Sequence, residues 1–341
     1  MLFSPKASII ASASVVGGKE HAGPLSSHFD FYNDQDRFGA PTWEKAESEM
    51  QRIALGHAMS RASLGPDQLD LLLAGDLLNQ CTGSAFGLLS YDIPYLGLYG
   101  ACSTSAEGLL LASLLVSGGG ATRAAVVTSS HNAAAERQFR SPIEYGGQRP
   151  PTAQWTVTGA GAFIVTSRNS APASHAPLAH ITAALPGIVV DSGVTDQGNM
   201  GAAMAPAAAS TLCRFFEASG RKPSDYDLIV TGDLGWEGGR LLCELTARDG
   251  LDISAQYNDC GMMIFSRSTQ DTHCGGSGCG CAATVLAAYL LPRLKSGAIR
   301  RMLFMATGAL MSPDSIKQGL AIPGVGHLIE LTSPTEGEMG A

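Results

Sequence analysis

The sequence contains an internal repeat, and this duplication constrains the fold more than any other feature. Residues 66–76 read PDQLDLLLAGD, and residues 223–233 read PSDYDLIVTGD. Five positions are identical in the two copies, which stand 157 positions apart (Asp76 against Asp233). In each copy a turn signal precedes an apolar run that ends at Gly-Asp. This is the pattern of a short buried strand that emerges at a loop.

A second pair of matching segments lies further along each half. Residues 120–130 read GATRAAVVTSS, and residues 297–307 read GAIRRMLFMAT. Each is preceded by an Ala/Leu-rich stretch, Ser105–Val116 or Ala282–Leu294, and by a turn of small residues. The two copies of this pair stand 177 positions apart (Arg123 against Arg300), and the same offset sets Cys102 opposite Cys279. Chance matching of abundant Gly and Ala is the alternative, but it would have to produce two pairs in the same order.

These repeats predict an α/β protein made of two duplicated halves, residues 1–170 and 171–341. Short apolar strands that alternate with helices favour parallel sheets covered on both faces. The Ala/Leu-rich stretches are then predicted to be central helices that are buried on all sides. Small residues in such a helix allow the backbones to approach closely.

The composition excludes several functional classes. Only 15% of the residues are charged, the net charge is −8, and no Lys/Arg-rich run is present, so we expect no nucleic-acid partner. The mean hydropathy of +0.11 reflects an apolar chain. No apolar run reaches the roughly 18–20 residues of a spanning helix. Eight cysteines in a chain of this length do not indicate a disulfide framework, and with no signal peptide visible we expect a reducing, cytoplasmic-side location.

Cys102 is the leading candidate for a chemically active residue. It stands in LYGACSTSAEGLLLASLLV, just after an apolar segment and just before a predicted helix. The positive end of a helix dipole and its free N–H groups favour a thiolate and stabilise an oxyanion. A buried, inert structural cysteine is an equally good interpretation of the spacing.

Two sets of segments resemble known families. The duplicated halves, the cysteine at the head of a buried helix and TVTGAGAFIV (156–165) resemble the thiolase-like condensing enzymes. More specifically, the chain resembles the stage V sporulation protein AD family of spore-forming bacteria. The segments that carry this resemblance are GPLSSHFD (23–30), DLLLAGDLLNQ (70–80), GACSTS (100–105), TSSHNAAAERQFRSPIEYGGQRP (128–150), MGAAMAPAAA (200–209), YDLIVTGDL (226–234), DCGMMIF (259–265), GGSGCGC (275–281) and ATGALMSP (306–313).

The resemblance implies a thiolase-like fold with α-β-α-β-α layers and a homodimer built through the strand near 124–130. It also implies where catalytic partners would stand. Condensing enzymes place His/His or His/Asn in the loop after the strand equivalent to 226–232 and near the start of the second buried helix. Here those places hold Asp233 and the residues Gly276–Cys279. An aspartate beside the thiol opposes thiolate formation, which argues against acyl transfer.

The sporulation family is thought to bind dipicolinate, pyridine-2,6-dicarboxylate, and to help move it into the developing spore. By resemblance the protein acts at the cytoplasmic side of the forespore inner membrane, with the membrane proteins of the stage V sporulation protein A operon. Dipicolinate is a flat dianion that is often accompanied by calcium. Its recognition calls for Arg forks at the carboxylates and aromatic or polar groups around the ring.

The predicted ligand-binding residues come from the family-specific run and from the places around the cysteine. They are Cys102, His131, Asn132, Arg137, Arg140, Tyr145, Gln148, Asp233 and Ser277. Each arginine has a competing interpretation as a solvated surface or subunit-interface residue. No metal site and no cofactor are predicted.

Two other functions stay open from the sequence. One is a working condensing enzyme or acyltransferase that uses Cys102 with an unusual partner set. The other is a purely structural subunit of a membrane complex, in which apolar surface serves docking.

Overall fold

Two runs of strands build the two halves of one continuous sheet. The computed structural model describes residues 1–139, 149–168 and 176–337. The strands of the first half are β1 (Ala7–Gly17), β2 (Phe31–Asn33), β3 (Leu71–Gly75), β4 (Tyr95–Gly97), β5 (Arg123–Ser130), β6 (Trp155–Thr156) and β7 (Gly159–Ser167). Its helices are α1 (Gly18–His21), α2 (Trp43–Ala62), α3 (Thr82–Leu88), α4 (Thr104–Ser117) and α5 (Asn132–Phe139).

The second half follows the same plan with longer helices. Its strands are β8 (Ala179–Leu185), β9 (Leu228–Thr231), β10 (Tyr257–Asp259), β11 (Gly276–Ser277), β12 (Arg301–Ala309) and β13 (Gly324–Thr332). Its helices are α6 (Met200–Ser219), α7 (Gly235–Arg248), α8 (Cys260–Ile264), α9 (Cys279–Val285), α10 (Leu291–Lys295) and α11 (Pro313–Lys317). A π-helical turn, Leu286–Leu290, joins α9 to α10.

The strand order confirms the duplication predicted from the sequence. The first half has the order β4-β3-β5-β7-β1, and the second has β10-β9-β12-β13-β8. Corresponding neighbours also run in the same relative directions, parallel at the outer three strands and antiparallel at the inner ones. The halves join where Ala7–Ile9 of β1 pairs with Ala179–Ile181 of β8. The division at residue 170 as a domain boundary stays a prediction.

The first aspartate that both copies of the first repeat share has a structural role. A 3₁₀ turn, Pro66–Gln68 or Pro223–Asp225, precedes β3 and β9 respectively. After each turn an aspartate accepts two backbone N–H groups from the start of the neighbouring strand. Asp70 accepts from Thr122 and Arg123, at 2.6 and 2.9 Å. Asp227 accepts from Arg300 and Arg301, at 2.8 and 3.2 Å. The repeated aspartate therefore fixes the start of one strand against the next.

The layers are those of the predicted α-β-α-β-α arrangement. Helix α2 covers the outer face of β1, β5 and β7, and α6 covers β12 and β13. Helix α4 lies between the halves, in contact with β5 and β7 on one side and with β12 and β13 on the other. Helix α9 is buried along its whole length and packs on β5 and β7. Both central helices predicted from the Ala/Leu-rich stretches are confirmed.

Two observations bear on assembly. Strand β5 is paired on both sides, with β3 and with β7, so it has no free edge for a dimer contact through residues 124–130. That predicted location was wrong, because a strand flanked on both sides has no backbone groups left to pair. In the described part of the chain β4 forms the outer edge of the first half.

No helix among the described residues has the length and hydropathy needed to cross a membrane.

We expect Asp70→Ala to lower the free energy of unfolding by about 1 kcal/mol at pH 7, discounted for the exposure of the side chain. The backbone N–H groups of Arg123 and Thr122 hold the pKa of Asp70 below its usual value. A lowered pKa means that this stabilisation is present above the unfolded-state pKa of about 3.9 and is lost as the pH falls through the folded value. Urea unfolding at pH 7 and toward pH 3 measures the difference. Glu217→Ala, an exposed carboxylate on α6, is the control, and an Asp70 effect that does not shrink on acidification would contradict the assignment.

Candidate functional site

Cys102 lies in a tight loop at the head of α4. The preceding residue, Ala101, has a φ of +52°, which is unusual for a residue with a side chain. Two side chains close the loop: Ser103 donates to Gly100 O at 2.6 Å, and Thr104 donates to Ala101 O at 2.7 Å. Strand β12 passes so close that a Cβ at Gly308 would lie 2.2 Å from Gly100 O. The loop is therefore held from both halves of the fold.

A small cavity of about 40 Å³ opens beside Cys102. By the same measure a water molecule needs about 10–15 Å³, so the space holds about three waters. Both halves of the chain contribute to its walls, which are mainly apolar with a few hydroxyl, thiol and carboxyl groups. The described lining residues include no Arg, Lys or His; they are Leu77, Tyr99, Ala101, Cys102, Ala135, Glu136, Phe139, Thr156, Met200, Ser277, Ala309 and Met311.

Asp233 lies directly behind Cys102 and is fully buried. It follows β9, at the Gly-Asp end of the second repeat. Its carboxylate accepts the N–H of Gly278 at 3.0 Å and the hydroxyl of Thr307 at 2.9 Å, and it also accepts the Cys102 thiol. Burial raises the pKa of Asp233 to about 7, against the lowering effect of these three hydrogen bonds. The two places expected to face Cys102 therefore do so.

The electrostatics at Cys102 disfavour the thiolate. Burial raises the pKa of the Cys102 thiol well above its usual value, and the nearby Asp233 and Cys279 raise it further. The Gly278 N–H acts in the opposite direction but is outweighed. The expectation that the helix head favours a thiolate is therefore not met, because a buried carboxylate and the loss of water outweigh the dipole.

The first half contains a counterpart of the aspartate. Asp76, at the Gly-Asp end of the first repeat, accepts the N–H and hydroxyl of Ser84 at 2.7 and 2.6 Å and the N–H of Leu78 at 2.9 Å. Cys279, the counterpart of Cys102, donates to Ser129 O at 2.8 Å and is fully buried. Asp76 and Cys279 do not line the cavity beside Cys102. Only one of the two thiols therefore faces a space.

Other predicted ligand-binding residues lie away from this cavity. His131 is buried against Trp43, with its Nε2 2.9 Å from Asp36 O. Asn132 donates to Thr156 O at 3.2 Å and starts α5, and Arg137 pairs with Glu44 at the surface. The structure thus gives these three side chains packing and surface contacts instead of cavity contacts. Arg140, Tyr145 and Gln148 lie outside the described residues.

Ser277, by contrast, lines the cavity, on the short strand β11 that pairs with β6. Sequence reasoning missed two polar neighbours, Glu136 and Thr156. Thr156 donates to a Glu136 carboxylate oxygen at 3.0 Å, and both face the cavity. The available signal was helical spacing: Glu136 stands three residues before Phe139, another lining residue, on the same face of α5.

Comparison with known proteins decides the family. A family model described as Stage V sporulation protein AD matches residues 1–332. Stage V sporulation protein AD of Bacillus subtilis (strain 168) is 42% identical over 317 residues, which are 93% of this chain and 91% of that protein. The chain belongs to the stage V sporulation protein AD family.

This member of the stage V sporulation protein AD family shares its fold with thiolase-like enzymes. An acetyl-CoA acetyltransferase from Syntrophomonas wolfei superposes with a TM-score of 0.63 at 10% identity, over 97% of this chain and 100% of that one. Cerulenin-bound OleA from Xanthomonas campestris gives 0.61 at 14% identity, over 97% and 98%. A 3-oxoacyl-(acyl-carrier-protein) synthase III from Aquifex aeolicus gives 0.56 at 15% identity, over 96% and 99%. These similarities establish the fold, and the predicted family and fold are both confirmed.

We expect Asp233→Asn to make Cys102 more reactive. The substitution removes the negative charge that raises the thiol pKa, and each unit by which that pKa falls increases the thiolate fraction about tenfold. Alkylation by iodoacetamide at pH 7.5, followed on the Cys102 peptide by mass spectrometry, should therefore accelerate by about tenfold. Asp76→Asn, the counterpart in the other half, should leave the Cys102 rate unchanged. Equal rates in the parent and in Asp233→Asn would contradict this account of the thiol.

Proposed function

We propose that this chain is a non-catalytic binding protein that recognises dipicolinate and serves its uptake into the developing spore. Membership of the sporulation family supports the biological setting. The single observation that carries the non-catalytic part is the fully buried carboxyl of Asp233 beside the buried thiol of Cys102. An acidic side chain stands where the resemblance to condensing enzymes calls for a histidine, and it holds the proton on the thiol.

The cavity offers groups that suit a small aromatic acid. Tyr99 and Phe139 supply ring surfaces for stacking, and the hydroxyl of Ser277 is a hydrogen-bond donor for a carboxylate. Dipicolinate is larger than the present space of about 40 Å³. Binding therefore requires the walls to move, and the flexible side chains of Met200 and Met311 are suited to that. Arg140 and Tyr145 remain proposed contacts from the family-specific run.

Calorimetric titration with dipicolinate, with and without calcium, tests the proposal. We expect saturable binding, and we expect Ser277→Ala to weaken it about three- to tenfold, because one hydrogen bond to a charged carboxylate is lost. Ser60→Ala, an exposed serine on α2, is the matched control and should bind like the parent. Absence of saturable binding under both conditions would overturn the proposal.

Acyl transfer at Cys102 is the second candidate function. The apolar lining, which includes Leu77, Phe139 and Met311, favours an acyl chain, and Cys102 faces that lining. Incubation with acyl-CoA of several chain lengths followed by intact-mass measurement separates the two functions. An acyl adduct that Cys102→Ala abolishes would favour the enzyme and contradict a purely binding role.

We also propose that the protein is a homodimer, with the contact at the β4 edge instead of β5. Strand β4 carries the half-exposed Leu96, and the adjacent α3 region presents Phe86 and Leu89, which are 72% and 74% exposed. A hydrophobic strand edge of this kind marks an interface, because a second copy satisfies its backbone groups and covers the apolar side chains. Tyr99, which also lines the cavity, lies next to this edge.

We expect Leu96→Lys to convert the dimer into a monomer, since a lysine on an edge strand blocks strand pairing. Sedimentation at micromolar concentration should give twice the chain mass of 35.3 kDa for the parent and a single chain mass for the variant. Leu320→Lys replaces another exposed leucine, remote from β4 in sequence and on the second half, and should stay dimeric. A monomeric parent would contradict the dimer, and a dimeric Leu96→Lys would contradict its location.

We further propose that the protein docks to the membrane proteins of the stage V sporulation protein A operon. This contact would lie at the cytoplasmic side of the forespore inner membrane. A second set of exposed apolar side chains, Ile188, Val189 and Leu320, lies on the second half. The bridge between Val190 and Gly324 and the hydrogen bond from Ile322 N to Val194 O hold the two loops that carry them together. This surface is a candidate for such a contact.

A further inference from the structure

The buried carboxylate of Asp233, when ionised, repels any anion that enters the cavity. Asp233 stands immediately behind Cys102 and next to Ser277, and both of these residues line the space. The three groups that donate to its carboxylate in the described structure are the thiol of Cys102, the N–H of Gly278 and the hydroxyl of Thr307. All three are neutral, so no basic side chain among them cancels a negative charge on Asp233.

The other titratable groups near this carboxyl are also acids. Asp259, at the end of β10, is fully buried and raises the pKa of Asp233 electrostatically. Three further thiols interact with Asp233: Cys260 on α8, and Cys279 and Cys281 on α9. Glu136, on α5, also lines the cavity. An incoming dianion would therefore meet an acidic surrounding in a medium of low dielectric constant, where like charges repel strongly.

We propose that binding of a dianionic ligand beside Cys102 is coupled to the uptake of one proton by the Asp233–Cys102 pair. The inference rests on the proposed function and concerns the regulation of that same site. The proton comes from the solvent buffer and stays on Asp233, so the ligand enters opposite a neutral pair of groups, the thiol and the carboxylic acid. No bond other than this O–H bond is formed or broken.

The direction of the pH dependence follows from the free-state pKa of Asp233, which is about 7. The bound anion raises that pKa, so protonation favours binding. Below about pH 6 Asp233 is already neutral in the free protein, and affinity should not vary with pH. Above about pH 7 a proton must be taken up, and the dissociation constant should rise up to tenfold per pH unit. Dipicolinate itself carries two charges throughout this range, because its carboxyl groups are acids of ordinary strength.

Calorimetric titration with dipicolinate, in metal-free buffers of different ionisation enthalpy, measures the coupling directly. At pH 8 the apparent heat of binding should depend on the buffer with a slope near one proton taken up, and at pH 5.5 the slope should fall to near zero. Asp233→Asn should abolish the slope at pH 8 and bind at that pH at least as tightly as the parent does at pH 6.

Two matched variants identify the group that takes up the proton. Asp76→Asn replaces the counterpart aspartate, which is buried in the other half and lies off the cavity, and should keep the full slope. Glu136→Gln replaces a carboxyl that lines the cavity itself and should also keep the slope. If Asp233→Asn does not fold, the slope of the parent protein and the Glu136→Gln result still decide the question.

Each outcome has a separate meaning. Saturable binding with no buffer dependence at pH 8 overturns the proton coupling while leaving dipicolinate recognition in place. Binding that requires calcium and releases or takes up no proton also overturns it, because the metal then compensates the charge. Loss of the slope in Glu136→Gln would show that Glu136 takes up the proton, and this would overturn the role of Asp233. The absence of any binding overturns the proposed function and the coupling together.

Discussion

The close approach of the central helices to the sheets is the constraint on which the rest of the structure depends. A Cβ at Gly161 on β7 would lie 2.6 Å from the Ala283 side chain of α9, and one at Gly280 would lie 2.3 Å from Gly159 O. On α4, a Cβ at Gly108 would lie 2.6 Å from the side chain of Val126. A middle layer packed at these distances admits only very small side chains at the crossing points. This explains why the chain is rich in Gly and Ala.

The same packing brings the head of one half's helix against the strand ends of the other half. Cys102 belongs to the first half, whereas Asp233, Gly278 and Thr307 belong to the second. At this junction burial and the Asp233 carboxylate together hold the proton on the thiol. Asp233 stands at a place where the resemblance to condensing enzymes predicts a histidine or an asparagine. A thiol that keeps its proton is a poor nucleophile.

Much of the fold was predictable, because it depends on local patterns that the two halves repeat. The segments around Asp76 and Asp233 predicted β3 and β9, and the Ala/Leu-rich stretches predicted α4 and the helix that begins with α9. Cys102 was found because residues just before a central helix lie at the strand ends of such a sheet. Asp233 and Ser277 were found because the resemblance to condensing enzymes marks their places. His131 satisfies the same positional rule, yet it is buried against Trp43 and Asp36. Position along a strand does not specify the direction of a side chain at the strand's end.

By itself the sequence determined the duplication, the α/β class, the layer order and the family, because periodicity, spacing and family-specific segments are properties of the chain alone. Only the tertiary structure decided which side chains face the cavity, that Glu136 and Thr156 are among them, and that β5 lies inside the sheet while β4 lies at its edge. It also decided the state of Cys102. The pKa of that thiol depends on burial and on Asp233, which is far away in sequence, and such long-range neighbours exist only once the two halves have packed together.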